Sequence, residues 1–436
     1  MKALLKTTLF IVFMTILLIG CSSGDNSSEE ANGNNQDEGN NESAKDSETL
    51  SLFSTVTNEA DQQALEGAIN QFEEENPNIN IDFNFPGDGY ESMLRVKMAA
   101  NDMPDLFDTH GWAKNRYGEY TMDLSDMDWV DDLDPALEQI FMDEEGKVYA
   151  YPINQAKDGL TYNKNVLDEY GIEPPKTFDE FTQALETVKE ESGGDVTPFW
   201  FAGNDAGSFG QYFDQFATPL LITHSDHDYS ESLLDGSFDW SNYTFLPEKL
   251  KEMQENDLLN VDVLTAQSHQ QAQLLAQGKI AFVMATVPIN SVKELNPDTE
   301  LGVMPVPAIH QGDNPSWIGG ERHSMAVWKD TEHPEEAKKF IEFISQPDIV
   351  KELAEGTSLP AGLTNADPDI YYADYYEEFA DVKVEPYFDR VYLPSGMWNP
   401  MGTTGQELLS GAMTPEQVSD KMGKEYTRLL EQEEEE

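Results

Sequence analysis

The sequence holds one cysteine, Cys21, in 436 residues. No disulfide can close within such a chain, so its stability must come from buried apolar area rather than covalent staples. Basic residues are scarce as well: 26 Lys and Arg face 83 Asp and Glu, a net charge of −57. That field repels polyanions and makes nucleic acid and anionic lipid poor partners. It reads as a solvated acidic surface suited to salt, where a Debye length of about 3 Å at 1 M screens the self-repulsion. The same excess strips paired carboxylates of meaning as a catalytic signal. Other signatures of chemistry are missing too: G-x-S-x-G, H-E-x-x-H, a P-loop and G-x-G-x-x-G. The acidic stretch 126–134 lacks the glycine that an EF-hand needs at its sixth position. Neither a cofactor nor a catalytic residue is expected.

With 39% hydrophobic and 11% aromatic residues, the chain can build packed cores, and its length calls for about two domains. At the N-terminus, Lys2 and Lys6 precede an apolar run at 9–19, about half the ~20 residues of a membrane-spanning helix. The segment 1–20 therefore reads as an export signal. Leu18-Ile19-Gly20-Cys21 resembles the lipobox of bacterial lipoproteins, which implies cleavage before Cys21 and a diacylglyceryl group on its thiol. Two acyl chains hold a protein on a membrane stably. After the cysteine, 22–48 is Ser, Asn, Gly, Asp and Glu without an aromatic, so 21–48 is expected to be a disordered tether with a reach of roughly 30 Å. The protein should then sit on the outer face of the cell membrane, touching it only through lipid.

Folding is expected to begin at Leu50-Ser51-Leu52-Phe53, a strand. A helix with Leu65, Ala68, Ile69 and Phe72 on one face follows, and Asn76-Pro77 ends it. Ile79, Ile81, Phe83 and Phe85 alternate as a second strand, 90–100 reads as a helix and 104–107 as a third strand. This β-α-β-α-β order predicts a parallel, doubly wound unit whose ligand side includes Ser54, Thr55 and the loop 108–112. Two extended stretches at 146–153 and 159–164 flank a polar break. Thr177 and Glu180 then form a capping box ahead of a helix that buries Phe178, Phe181, Leu185 and Val188. Strands are expected at 198–201, 280–284 and 301–306, and helices around 211–221, 247–255, 268–276, from Pro334 and from Thr414-Pro415. The terminal Glu run after Leu430 should fray, because negative charge opposes a helix C-terminus.

"GKVYAYPIN" followed by "GLTYNKNVLDEYGIEPPKTFDEF" resembles the hinge passage of family 1 extracellular solute-binding proteins, the maltose-binding-protein group that feeds ABC importers. "ENPNINIDF", "MAANDMPDLFD", "LLAQGKIAFVM" and "WIGGERHSMAVWKDTEHPEEAKKFIEFIS" recur in the same order, so the resemblance spans most of 50–430. It implies an α/β protein of two doubly wound lobes joined by a multi-crossing hinge, periplasmic-binding-protein-like of type II, with the ligand in the cleft. Lobe 1 would comprise 49–154 and 321–365, lobe 2 would comprise 155–320 and 366–430, and 431–436 would be an acidic tail. Crossings are expected near 154–158, near 317–320 and after Asn365; Gly319-Gly320 fits a hinge because glycine absorbs φ/ψ change. The implied function is capture of a carbohydrate, an oligosaccharide, by a monomer that closes on it and delivers it to a membrane permease. A surface-tethered glycoside-acting enzyme and a binder of a peptide or other non-sugar solute are the alternatives.

A sugar presents hydroxyls at its edges and C–H bonds on its faces, so its site wants polar groups around a rim and rings for stacking. The candidates are Thr55, Asp108, His110 and Trp112 on lobe 1, Trp200, Asn204 and Trp398 on lobe 2, and Asn154, Trp317, Gly320, Glu321 and Arg322 at the hinge. Trp398, in "YLPSGMWNP", lies where the resemblance puts a sugar-stacking tryptophan. Trp112 and Trp317 are read equally well as core residues, and Trp328 as core. Where relatives often carry a tryptophan after the strand 280–284, this chain has Ala285-Thr286-Val287-Pro288, which departs from the maltose type. Gly-Gly-Glu-Arg at 319–322 is closer to the hinge of α-galactoside binders. His224, Asp226, His227 and Asp228 could form a metal cluster or a solvated loop; no metal is expected.

Overall fold

The computed structural model describes residues 47–56 and 59–435. The expected export signal, Cys21 and nearly all of the tether lie outside them. Among the described residues ten strands form two sheets: β1 (Glu48–Phe53), β2 (Ile79–Asn84), β3 (Leu106–Phe107), β4 (Tyr151–Asp158), β5 (Leu160–Asn163), β6 (Thr197–Phe199), β7 (Ile280–Met284), β8 (Leu301–Met304), β9 (Trp317–Val327) and β10 (Val384–Pro386). In the first sheet β1 lies between β2 and β3, parallel to both, with Leu50 beside Ile81 and Leu52 beside Leu106. Helices α1 (Glu59–Glu75) and α2 (Tyr90–Ala100) make the crossovers. Ile79 and Ile81 are buried, but Phe83 is exposed and rests against Phe85 at 5.4 Å, so the inward alternation of this strand stops one step short of the sequence pattern.

α1 buries Leu65, Ala68, Ile69 and Phe72, and the Phe72 ring meets Phe340 and Phe343 of the helix Pro334–Ile344 at 5.1 and 5.5 Å. These residues, with Leu106, Phe107, Tyr151 and Val350, make the core of the first lobe. The second sheet has the order β6-β7-β5-β8. Its core is largely aromatic: Phe181, on the helix Phe178–Ser192, touches Phe199 at 5.3 Å and Phe282 at 5.4 Å, with Phe178 and Phe216 beside it. That helix starts on the capping box read in the sequence; Glu180 N–H donates to Thr177 Oγ1 at 3.2 Å and Thr177 N–H to Glu180 Oε2 at 3.1 Å.

Between the cores runs a two-stranded ribbon. β4 pairs antiparallel with β9 from Tyr151 beside Met325 to Asp158 beside Ile318, with irregular register around Asn154. One end of β9 joins β3 of the first lobe and the other joins β10 of the second. The stretch 154–158, read as a polar break, is therefore strand. Asn, Gln, Lys and Asp favour strands little, and the paired partner overrides that preference. Gly319 sits so close to the partner strand that a Cβ there would lie 2.0 Å from the Ala156 carbonyl oxygen, and Gly320 has φ +130° with Ile140 Cδ1 2.4 Å from where its Cβ would be. Close approach and backbone conformation both demand glycine at these places. A third passage follows, with Leu363 bridging to Leu133 in the first lobe and the Tyr372 hydroxyl donating to the Val287 carbonyl in the second.

The last helix, Pro415–Glu435, continues through the glutamate run instead of ending near Leu430. Arg428 braces it, donating to Glu425 Oε2 at 2.9 Å and to Gln432 Oε1 at 2.8 Å. No helix among the described residues is long and apolar enough to cross a membrane.

Candidate functional site

A cleft of about 790 Å³ opens between the lobes, within the several-hundred-Å³ range of small-molecule sites. A further hollow of about 490 Å³ around Trp240 and Gly423 lies wholly on the second lobe. The first-lobe wall of the cleft is polar and aromatic. It consists of Glu91, Arg95 and Met98 on α2 with Trp112, Arg116, Tyr117 and Tyr120 on and after the 3₁₀ turn His110–Trp112. Glu91 Oε2 accepts from Arg116 Nη1 at 3.0 Å and from the Tyr117 hydroxyl at 2.9 Å. Its other oxygen is buried and has no donor. The Arg116 guanidinium lies 3.9 Å from the Trp112 ring centre, within cation–π range.

The second-lobe wall is more apolar. Leu233, Leu234, Val391, Leu393, Leu429 and Leu430 line it beside Arg390, Tyr392 and Tyr426. Leu234 and Val391 are exposed, at 59% and 41%. Two arginines connect the walls: Arg116 donates to Ser395 Oγ, and Arg390 pairs with Glu321 while standing 5.4 Å from the Trp112 ring. Glu321 is almost wholly buried. A Cβ at Gly111 would come within 2.9 Å of Glu321 Oε2 and 3.1 Å of Arg390 Cδ, so glycine at 111 is what lets these side chains meet against the first lobe.

Beneath the first-lobe wall lies a polar network. Asp108, wholly buried, accepts from Thr55 Oγ1 at 2.5 Å, His110 N–H at 3.0 Å and Ser324 Oγ at 2.9 Å, and it faces His323 Nδ1 at 3.6 Å. His323 Nε2 reaches Asp61 at 3.2 Å. Burial pushes the Asp108 carboxyl up, but the His323 bond, His110 and the backbone donor outweigh it and hold the group well below the usual carboxylate range. His110 moves the other way. Burial, together with the charges of Arg390, His323 and Arg322, takes it down to about 3 despite Asp108, so the ring is neutral at neutral pH. It sits at φ +46° and its Nδ1 is buried without a partner. A strained backbone and an open polar atom beside a cleft are the kind of local cost that a binding site retains.

The candidates from sequence divide accordingly. Trp112 lines the cleft, and His110 and Glu321 stand beside it. Thr55 and Asp108 lie underneath. Asn154, fully buried, accepts from His323 N–H at 2.9 Å and braces β9 from β4. Arg322 is exposed on β9, next to Glu321. Trp200 and Trp317 are packed in a core with Val283 and Tyr372; the Trp317 ring meets Tyr376 at 5.3 Å. Asn204 is exposed, with its N–H on the Ala266 carbonyl. Trp398 opens the helix Trp398–Leu409 half-buried, its ring against Gly210, where a Cβ would lie 3.2 Å away; it is not among the residues lining the cleft. Trp328 packs at the edge of the first core. His224, His227 and His310 cluster with His227 and His310 stacked face to face at 3.8 Å, so their ring nitrogens do not converge. Among the described residues no group of His, Cys, Asp and Glu is placed to hold a metal.

Glu91, Arg116 and the segment 390–395 did not emerge from the sequence. A signal was present: only five arginines occur in the chain, at 95, 116, 322, 390 and 428, and three of them line this cleft. In so acidic a chain, each retained guanidinium points to a place where its rigid fork of donors is used.

Residues 57–351 match the family model described as bacterial extracellular solute-binding protein. Over 429 residues, 98% of this chain and 97% of the relative, the sequence is 51% identical to the melibiose/raffinose/stachyose-binding protein MelE of Bacillus subtilis. The fold superposes on a sugar transporter protein of Bacillus licheniformis solved in complex with stachyose (TM-score 0.81, 59% identity, 87% of this chain and all of the other). It also superposes on a binding protein of Bacillus subtilis solved in an open conformation (TM-score 0.85, 54% identity, 89% and 99% covered).

Proposed function

Because the chain belongs to the bacterial extracellular solute-binding proteins, we propose that it captures an oligosaccharide of the raffinose and stachyose class in the interlobe cleft and delivers it to the permease of an ABC importer. The observation that carries this reading is the composition of the cleft: a wall with the Trp112 ring and the open acceptor of Glu91 faces a wall of exposed Leu234 and Val391. Such walls suit a ligand that is apolar on its faces and hydroxylated at its edges. Trp112 is the stacking platform. Glu91, Arg116, Arg390 and His110 supply acceptors and donors. Closure follows from contacts with both walls, because a ligand shifts an open–closed equilibrium only by its differential affinity for the two states. The thermal stability of the soluble fragment 49–436 should rise with raffinose or stachyose, by about 2.7 kcal/mol at a hundred times the dissociation constant. A shift with peptides and none with these sugars overturns the proposal.

The N-terminal segment supports anchoring through a lipid on Cys21, given Gly20 before it and the polar tether after it. Mass spectrometry of the mature protein should find a diacylated N-terminal cysteine, and an unmodified thiol rejects the anchor. The charge of −57 supports adaptation to salt. Melting temperature should climb as sodium chloride shortens the Debye length from about 30 Å at 0.01 M to about 3 Å at 1 M, and a flat trend rejects that adaptation.

A further inference from the structure

Behind the second-lobe wall two carboxyl groups meet. Asp214, on the helix Gly207–Leu221, is wholly buried, and its Oδ1 accepts the Asp389 backbone N–H at 2.8 Å. Its Oδ2 is buried as well and has no ordinary donor. The side chain within hydrogen-bonding reach of Asp214 is the Asp389 carboxyl. Ionised carboxylates only accept, so this contact is satisfied when one of the two groups carries a proton. Asp389 belongs to the short helical turn Phe388–Val391, which opens the second-lobe wall; the next residue is Arg390, the partner of Glu321 across the cleft.

We propose that Asp214 and Asp389 share one proton, and that this carboxyl pair is a positioning element that fixes Arg390 and the wall at 390–395 where the ligand meets them. The proposal rests on the reading of the cleft as the sugar site. The surroundings favour the proton. Burial pushes Asp214 up to about 6, against the Asp389 N–H and the bond to the Asp389 carboxyl, which lower it; burial, then the charge of Asp214 and the bond to it, push Asp389 well up. The facing charges are Arg390, which lowers Asp214, and Arg116, which lowers Asp389; Asp158 on β4 opposes Arg390 at Asp214. Tyr387 and Tyr243, the other titratable groups near Asp214, are held neutral by burial, and Tyr387 donates to Asp158 at 2.7 Å. Loss of the proton leaves two anions in contact in a poorly solvated place. The nearest relief is for the turn to lift from the helix, which carries Arg390 away from Glu321 and the wall away from the ligand.

The test is raffinose affinity of the full mature protein by calorimetry, from about pH 5.5 to 9, together with infrared detection of a buried protonated carboxyl in the ligand-free protein. In wild type the affinity should hold on the acid side and then fall about tenfold per pH unit above the titration of the pair, since only the protonated fraction is competent. Asp214→Asn keeps an oxygen for the Asp389 N–H and supplies an amide donor to the Asp389 carboxylate, so it should bind without this pH dependence and lack the infrared band. Asp389→Asn is the mirror variant and should do the same. A flat wild-type profile, an unchanged slope in both variants, or no protonated carboxyl in wild type overturns the proposal. Absence of raffinose binding at every pH would count against the sugar reading, and the infrared band and its loss would still judge the shared proton.

Discussion

Each lobe buries one aspartate completely behind its wall of the cleft, and the two are driven in opposite directions. Asp108 in the first lobe is met by two hydroxyls, two backbone N–H groups and the His323 ring. Asp214 in the second is met by one backbone N–H and another carboxyl. Burial raises both, yet Asp108 ends well below the ordinary range and Asp214 above it. Burial therefore sets a penalty of common sign, and the number of donors decides whether the ion or the acid survives. The first arrangement is a charged network that fixes the hinge strand β9 to the loop bearing His110 and Trp112. The second is a singly charged pair whose contact depends on a shared proton.

The largest effect should come from removing the carboxylate of the charged network. Asp108→Ala leaves Ser324 and the His110 N–H without this acceptor, and His323 with Asp61 and the more distant Thr55 hydroxyl at 3.4 Å. A cost of about 3–5 kcal/mol is expected, as for other broken buried charge pairs. Asp214→Asn keeps shape and bonds and should stay within about 1 kcal/mol of wild type. Urea midpoints of the two variants measure the contrast, which fails if the two costs are equal. Their pH signatures differ as well. The depressed Asp108 contributes stability that is present above the unfolded value of about 4 and is lost as pH falls below it. The raised Asp214 contributes stability present below about 4 and lost as pH climbs from there through its folded value of about 6. Melting curves against pH should show Asp214→Asn gaining on wild type between about pH 4 and 6; parallel curves would remove the distinction.

Much of the framework behind this contrast was legible in the sequence, and the walls were not. Alternation and capping marked β1, α1, β2 and the helix Phe178–Ser192 because those elements bury one face of a regular period. The strand character of 154–158 was hidden, since it is imposed by β9 rather than by the residues themselves. Among tryptophans, type alone could not separate Trp112 at the cleft from Trp200 and Trp317 in the core: a ring beside a loop turns inward or outward according to contacts made far along the chain. Asp214 and Asp389 are 175 residues apart, and no local pattern announces their meeting.

An intermediate effect separates the walls themselves. Trp112 stands between Arg116 and Arg390 and supplies the ring that the first lobe offers to a sugar. Trp112→Ala removes that platform and leaves Arg116 without its nearest ring, while Arg390 keeps Tyr387 at 4.3 Å, so affinity for stachyose should weaken by about 2 kcal/mol or more, the scale of an interface anchor. Calorimetry that finds wild-type affinity in this variant would shift the binding surface to the opposite wall.

The smallest effect belongs to that opposite wall, where Leu234 is exposed. A side chain that is already half in water changes its exposure only partly when a ligand arrives. The methyl groups lost in Leu234→Ala therefore carry a fraction of the 1.5–3 kcal/mol that full burial of a leucine is worth, about 0.5–1 kcal/mol of binding. Leu234 is already largely exposed, so the fold should keep its stability while the ligand loses contact area. The heat capacity of binding discriminates further, because apolar burial makes it negative. Leu234→Ala should make that term less negative in proportion to the area lost. An unchanged heat capacity with unchanged affinity would mean that the ligand rests on the first-lobe wall and does not bury the second.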